Sequence, residues 1–182
     1  MSIGLVMSRF ALFTDVSSNP QRKCGVGAYL LLPASCLENL PHEIDRVEIS
    51  AKLRFKRFAD TSSTKLEVQT VLWALENLPS QCCGSAPGNL QVFTDSQCVA
   101  GLPGRRAGLE ANQFLSRRSG QLLTNAPLYQ ALYAAYDNLG FQLVKVAGHT
   151  RACTRDTVQQ IFSCVDTEVR KALSLWLAEP GV

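Results

Sequence analysis

The feature that most limits the fold of this 182-residue chain is the order in which its hydrophobic patterns change. Three strand-like segments come first, at residues 3–14, 24–32 and 44–58. The first two are mostly apolar, whereas the third alternates apolar and charged residues, as a half-solvated antiparallel strand does. Three such segments in succession predict an antiparallel meander.

A helical pattern begins after the meander. Apolar residues repeat at helical spacing from Leu66 to Leu78, behind the potential helix caps of residues 61–64. The remaining elements are a short buried strand at residues 90–94, a short helix from Ser96 that Gly101 and Pro103 stop, a helix at 128–140, a strand at 141–146 and a helix from about Thr157. The segment 104–126 is polar and poorly periodic. The order β-β-β-α-β-α-α-β-α predicts an α/β fold.

Length and composition indicate an ordinary globular protein, and we expect a single domain over residues 1–182. Hydrophobic residues make up 46% of the chain and charged residues 18%, which excludes a disordered chain. The net charge of +3 permits a polyanionic partner without requiring one. Positive charge is concentrated at Arg105, Arg106, Arg117 and Arg118, which either meet phosphates or form a solvated face.

Cysteine usage and the apolar segments bear on the compartment. The seven cysteines form no CxxC pair and have no zinc-type spacing, so reduced thiols are expected. Arg9 interrupts the apolar N-terminus, so we expect no signal peptide. No stretch reaches the ~20 apolar residues of a membrane helix. We therefore expect a cytoplasmic protein with no membrane association and no evident obligate protein partner.

Acidic residues stand where strand-like runs end. Asp15 follows the first run, Asp95 follows the fourth, and Glu67 lies in the first turns of the helix after the meander. Side chains at the carboxyl ends of adjacent strands point into one crevice. If the first and fourth strands are neighbours, Asp15 and Asp95 can share a cation. Divalent cations are the usual reason for such a cluster, because like charges at close range raise each other's pKa.

Each of these residues also has a plainer interpretation when it is taken alone. An Asp after a strand is usually a turn former, and the helix macrodipole favours Glu67 near a helix N-terminus. Asp166, on the final helix, fits a solvated position, and His149 fits a loop or core histidine. The case for a shared site therefore depends on the sequences around these residues.

Those surrounding sequences resemble ribonuclease H, type 1, the bacterial ribonuclease H-like family. The resemblance rests on Phe-Thr-Asp15, Thr-Lys-Leu-Glu67, Phe-Thr-Asp95-Ser-Gln and Val-Ala-Gly-His149, in this order on this element pattern. It extends from about Phe10 to Leu173, and the segment around Asp166 is similar to the family's last helix. The implied fold is ribonuclease H-like: a five-stranded mixed sheet, with an antiparallel meander of strands 1–3 and parallel strands 4 and 5, flanked by helices.

The resemblance implies an endonuclease that hydrolyses the RNA strand of RNA–DNA hybrids with two Mg²⁺ ions, which Mn²⁺ can replace. The implied metal ligands are Asp15, Glu67, Asp95 and Asp166, and His149 would assist proton transfer or product release. Positions from which the family contacts its substrate are occupied by Ser17, Asn19, Ser63, Thr64 and Gln97. Selectivity for the hybrid is read from the 2′-hydroxyl groups of the RNA strand.

Departures from the family pattern leave alternatives open. Val16 stands where the family usually has Gly after the first Asp, and the segment between His149 and Asp166 is longer than in the best-known members. Asp156 competes with Asp166 for the fourth ligand, although Asp156 and Gln159 match a helix N-cap pair. The alternative function is a ribonuclease H-like nucleic-acid-binding module that is catalytically inactive or has altered specificity.

Overall fold

The computed structural model describes residues 9–82, 88–147 and 151–180 and centres on a five-stranded sheet of order β3-β2-β1-β4-β5. The strands are Phe10–Asn19 (β1), Cys24–Pro33 (β2), Arg54–Phe58 (β3), Leu90–Thr94 (β4) and Gln142–Lys145 (β5). β2 pairs antiparallel with β1 and β3, whereas β4 pairs parallel with β1 and β5. The predicted mixed sheet, a meander followed by two parallel strands, is confirmed.

Helices cover both faces of this sheet. They are Arg46–Lys52 (α1), Ser63–Glu76 (α2), Gln97–Ala100 (α3), Leu102–Ala111 (α4), Ala126–Leu139 (α5) and Thr157–Leu177 (α6). One apolar cluster joins α1 and α6 to the sheet, and a second joins α2, α3, α4 and α5 to the opposite face. Within the described ranges, no helix combines the length and the apolar character that a bilayer crossing requires.

The third predicted strand was wrong in its first half, where the chain forms α1. Asp45 begins this helix, because its side chain accepts hydrogen bonds from the backbone amides of Val47 (2.8 Å) and Glu48 (3.3 Å). Ile49 is the buried residue of α1, and the strand is restricted to Arg54–Phe58. A local cap therefore outweighed the alternating pattern.

The helix α4 was not expected within the polar segment after Gly101. Pro103 lies in the first turn of α4, where the missing proline N–H would have no helical partner, and so it starts this helix instead of ending the previous one. Leu102 is the buried residue of α4. With one apolar anchor, the segment shows no period that would reveal the helix.

Asp15 does not end its strand, contrary to the expectation from the sequence. The parallel pairing of β1 with β4 stops at Phe13, opposite Phe93, but β1 continues to Asn19 because its antiparallel pairing with β2 persists. Asp15 therefore lies one position beyond Thr14, in a segment of β1 that has β2 on one side and no strand on the other. It still reaches the carboxyl end of β4.

Candidate active site

A small depression lies where β4 ends beside β1 and the first half of α2. Its lining comprises Thr14, Asp15, Val16, Glu67, Thr94, Asp95 and Ser96. Three of the four predicted carboxylates thus border one point, although they come from three different elements. The neighbouring positions of β1 and β4 in the sheet bring Asp15 and Asp95 together, as the strand-end argument predicted.

Asp15 is the buried carboxyl group of this depression, with 7% of its surface exposed. Its Oδ1 accepts a hydrogen bond from the Val16 amide (2.8 Å), whereas its Oδ2 is buried without a hydrogen-bond partner in the part of the chain described. Burial, followed by the nearby charge of Asp95, raises the pKa of Asp15 to about 8. Without a cation, this carboxyl group is therefore protonated at neutral pH.

Two glycines of β2 determine how closely α2 approaches the sheet. A Cβ atom on Gly27 would lie 2.1 Å from Thr70 Oγ1, and one on Gly25 would lie 2.4 Å from Leu66 Cδ2. Only the absence of a side chain at both positions allows this contact. Glu67 lies between Leu66 and Thr70 on α2, so the two glycines set its distance from β1.

Ser96 links Glu67 to the turn after β4. Its hydroxyl donates to Glu67 Oε2 (2.5 Å) and also accepts from the Val99 amide (3.1 Å), which caps α3. Burial raises the pKa of Glu67, the bond from Ser96 counteracts this, and the charge of Asp95 raises the pKa further. The sequence predicted Ser96 only as a helix start, so its contact with Glu67 was missed.

Asp95 is the exposed member of the group and follows β4 directly. Its charge raises the pKa of both Asp15 and Glu67, which means that it lies near both carboxylates. The turn after it is ordered by the Ser96 amide, which donates to Thr94 Oγ1 (3.1 Å). Asp95 is therefore the residue of this group whose charge affects the pKa of both other acids.

Asp166 lies on α6, which packs on the face of the sheet opposite to α2, and its charge acts on Asp15 from that side. Its Oδ1 accepts a hydrogen bond from Arg170 Nε (2.7 Å), and the charges of both residues act on the pKa of Asp15. Asp156, the competing acid, forms the predicted capping box instead: its Oδ1 accepts from the Gln159 amide (2.8 Å), and Gln159 Oε1 accepts from the Asp156 amide (3.1 Å). The spacing of Asp166 and Arg170 is a local signal for an i, i+4 pair, but the proximity of Arg170 to Asp15 depends on how α6 packs on the sheet, so this arginine was missed as part of the site.

The predicted substrate residues lie on β1, α2 and α3, which also carry or adjoin the acids, but none of them lines the depression itself. The hydroxyls of Ser63 and Ser18 are hydrogen-bonded (3.0 Å), and Asn19 Oδ1 accepts from the Arg22 amide (3.0 Å) in the turn after β1. Gln97 Oε1 accepts a hydrogen bond from Lys145 Nζ. Ser17 and Thr64 are partly exposed. His149 lies outside the described residues.

The basic segment divides into two parts. Arg105 donates to the Cys98 carbonyl (2.8 Å), and Arg106 bonds both carboxylate oxygens of Asp137 (2.6 and 2.8 Å) as well as Glu110 (2.7 Å). These contacts attach α4 to α3 and α5. The second part, Arg117 and Arg118, is exposed after α4.

The carboxylates fit a divalent cation in their chemistry but hold other partners in this conformation. In the part of the chain that the structure describes, no three His, Cys, Asp or Glu residues lie close enough to bind a metal. Glu67 is bonded to Ser96 and Asp166 to Arg170. All four donors are nevertheless oxygens, which Mg²⁺ prefers, and the unpartnered Oδ2 of Asp15 has unused lone pairs. Cation binding would require Glu67 and Asp166 to turn from their present partners.

Comparisons with known proteins concern the fold. The sequence matches no family model and none of the curated proteins searched. A solved structure of the foamy viral protease-reverse transcriptase in complex with dsDNA is similar over 91% of this chain and 95% of that chain, with a TM-score of 0.55 and 11% sequence identity. Together with the strand order, this similarity shows that the chain has the ribonuclease H-like fold.

Proposed function

We propose that this protein is a metal-dependent endonuclease that hydrolyses the RNA strand of RNA–DNA hybrids. The observation that carries the proposal is the buried Asp15 carboxyl, whose Oδ2 has no partner in the described structure, beside Asp95 and Glu67 in this fold. A buried carboxyl group surrounded by acids stays protonated at neutral pH unless a ligand compensates the charge of its ionised form. A bound cation provides that compensation and returns the carboxyl group to its charged form.

In this proposal Asp15, Glu67, Asp95 and Asp166 hold two Mg²⁺ ions, for which Mn²⁺ can substitute. When bound, such ions supply an activated water and stabilise charge at the reacting phosphate. Ser96 holds Glu67 and Arg170 holds Asp166 before binding, so both acids are kept near the cleft. His149 is proposed to assist proton transfer or product release, in keeping with the general acid–base role of histidine.

The hybrid is the proposed substrate because hydroxyl and amide side chains lie on β1, α2 and α3, the elements that carry or adjoin the acids. Ser17, Asn19, Ser63, Thr64 and Gln97 are proposed to contact the backbone and minor groove of the duplex. Such groups both donate and accept hydrogen bonds, as recognition of a ribose 2′-hydroxyl requires. The complex of the foamy viral protein with dsDNA supports a nucleic-acid partner for this fold.

Cleavage of an end-labelled RNA–DNA hybrid, resolved on a denaturing gel, tests the proposal. We expect Mg²⁺-dependent nicks in the RNA strand, none in the DNA strand, and none in an all-DNA duplex of the same sequence. EDTA should abolish the nicks. Absence of cleavage over a full titration of Mg²⁺ and Mn²⁺ would exclude the enzyme.

A second candidate, a binding module without catalysis, is favoured by one observation. The guanidinium of Arg170 already occupies Asp166 Oδ1, so the fourth acid carries an internal counter-ion. Binding of the hybrid without cleavage supports this candidate. The variant Arg170→Ala separates the two candidates, because it releases Asp166 from its ion pair. If the protein is an enzyme, its affinity for Mg²⁺, measured by calorimetry, should increase. If it is a binding module, its affinity for Mg²⁺ should not change.

A further inference from the structure

We infer that Lys145 is a phosphate-binding residue of the same cleft and that its bond to Gln97 aims the Gln97 amide group at the nucleic acid. This inference rests on the proposed function and adds a cation to a site that is otherwise acidic. It concerns a residue that no motif in the sequence indicated.

Lys145 stands at the same end of the sheet as the acids. β5 runs parallel to β4 with Lys145 opposite Thr94, and the Val146 amide donates to the Thr94 carbonyl (2.8 Å). Thr94 precedes Asp95 in the chain. Lys145 is therefore the last residue of a strand whose carboxyl end faces the crevice, which is where ligands of α/β sheets bind.

The charge of Lys145 is available to an anion. Arg57, Arg106 and Arg170 each bond to a carboxylate, so their charges are largely neutralised. Lys145, in contrast, is exposed, and its ammonium group donates to the neutral amide oxygen of Gln97. An ammonium group has three N–H donors, and the bond to Gln97 uses one of them among the described residues, which leaves two for phosphate oxygens. Gln97 holds the ammonium group without cancelling its charge.

The same bond determines the orientation of the Gln97 amide. Because Oε1 accepts from Lys145, the Nε2 group with its two donors lies on the other side of the amide. Gln97 is exposed and comes two residues after Asp95. The bond to Lys145 thus leaves its donors for a minor-groove base edge or a 2′-oxygen, both of which offer acceptors.

A purely structural role is the competing explanation, since the Lys145–Gln97 bond also connects β5 to α3. The two roles differ in their dependence on salt. A phosphate contact releases a counter-ion, so its removal makes the slope of log K against log salt shallower by roughly 0.9. A structural role changes the thermal stability and leaves that slope unchanged.

The test is fluorescence anisotropy with a labelled RNA–DNA hybrid in Ca²⁺, from about 50 to 200 mM KCl, using wild type, Lys145→Met, Lys145→Arg and the control Lys52→Met. Lys52 is exposed on α1 and paired with Glu48, so its loss should change nothing. We expect Lys145→Met to lower the slope by roughly one unit and weaken binding several-fold at low salt. Lys145→Arg should restore both.

A wild-type slope in Lys145→Met would overturn the inference, whatever its melting temperature. Failure of the inference and failure of the proposed function give different results. If wild type cleaves the hybrid and Lys145→Met keeps the wild-type slope, only the inference fails. If the slope changes but wild type never cleaves, the phosphate contact stands and the proposed enzyme fails.

Discussion

The acidic depression and the arginine cluster on α4 differ in how their charges are paired. Arg106 on α4 is surrounded by the carboxylates of Asp137 and Glu110, and the bonds to Asp137 lower the pKa of that residue. In the depression, Asp15 has acids as neighbours and a raised pKa. The α4 cluster is neutralised within the chain, whereas the buried Asp15 Oδ2 in the depression has no partner among the described residues.

Unsatisfied polar atoms show the same contrast. The buried side-chain oxygens without partners, among the described residues, are those of Thr14, Asp15 and Thr70, on β1 and the facing side of α2. Buried polar groups are normally hydrogen-bonded, and exceptions call for an explanation such as a ligand or ion. A cluster of like charges with an unpartnered buried oxygen therefore points to a ligand more strongly than a set of salt bridges does, because the charges of the salt bridges are already neutralised within the chain.

The largest expected effect is that of Asp95→Asn on cleavage. Asp95 acts on both Asp15 and Glu67, so removal of its charge should reduce hybrid cleavage by several orders of magnitude. Binding of the hybrid should be retained or strengthened, because a negative charge near phosphates is lost. The matched control is Asp137→Asn in the α4 cluster, which should cleave like wild type. Retained activity in Asp95→Asn would remove that residue from the site.

Asp166→Asn and Asp156→Asn should separate a ligand from a helix cap. We expect Asp166→Asn to lose most of the cleavage rate without a large loss of stability. Asp156→Asn keeps a good N-cap residue and should change little, whereas Asp156→Ala should cost about 1 kcal/mol of unfolding free energy. Single-turnover cleavage and urea unfolding check both. The reverse pattern of rates would assign the fourth ligand to Asp156.

The pH dependence of stability should reveal the buried acid. The pKa of Asp15 is about 8 in the folded protein against an ordinary value of 3.8, so between these values the folded chain holds a proton that the unfolded chain has lost. Stability in EDTA should therefore fall as pH rises through this window. Asp15→Asn removes the effect and should gain a few kcal/mol over wild type at about pH 8.5 and much less at about pH 5.

Asp137 provides the comparison of opposite sign. Its lowered pKa, caused by Arg106, contributes stability that is present above the ordinary pKa and lost as pH falls through the folded value. Asp137→Asn should therefore lower stability slightly near neutral pH and match wild type in the acidic range, where wild type has lost the contribution as well. For Asp15, a dependence of stability on pH that is the same in Asp15→Asn and wild type would contradict the raised pKa of Asp15.

Gly27→Ala should have a smaller effect, through packing. Its Cβ would lie 2.1 Å from Thr70 Oγ1, so α2 must shift and carry Glu67 away from Asp15. We expect a loss of about 1–3 kcal/mol of unfolding free energy, the usual range for overpacking, together with slower cleavage. The double variant Gly27→Ala/Thr70→Ala removes the clashing atoms and should recover part of both losses. A Gly27→Ala protein of wild-type stability and rate would show that α2 does not depend on this contact.

The smallest effect is expected for Arg106→Met, which breaks the surface pairs of α4. Exposed ion pairs contribute little to stability, and this arginine is engaged within the chain, so cleavage should stay within about twofold of wild type. A loss of hybrid affinity with a shallower salt slope would instead make Arg106 a phosphate contact.

The five strands, the helices α2, α3, α5 and α6, and the choice of candidate acids could be predicted because their signals are local or repeat along the chain. The Leu66–Leu78 pattern identified α2, and the spacing of Asp156 and Gln159 identified the start of α6. The two helices that the sequence prediction missed lack such a signal. α1 and α4 are short, each has one buried residue, and a single anchor produces no period.

The sequence by itself determined which residues carry charge, where the main helices begin and which elements the acids belong to or follow. Only the tertiary structure decided that Glu67 meets Ser96, that Lys145 meets Gln97 and that Asp15 is buried with a raised pKa. The bonded partners in these two pairs are 29 and 48 positions apart in the chain. Hydrogen bonds and pKa values depend on neighbours in space and on exclusion of water, which local sequence patterns do not contain.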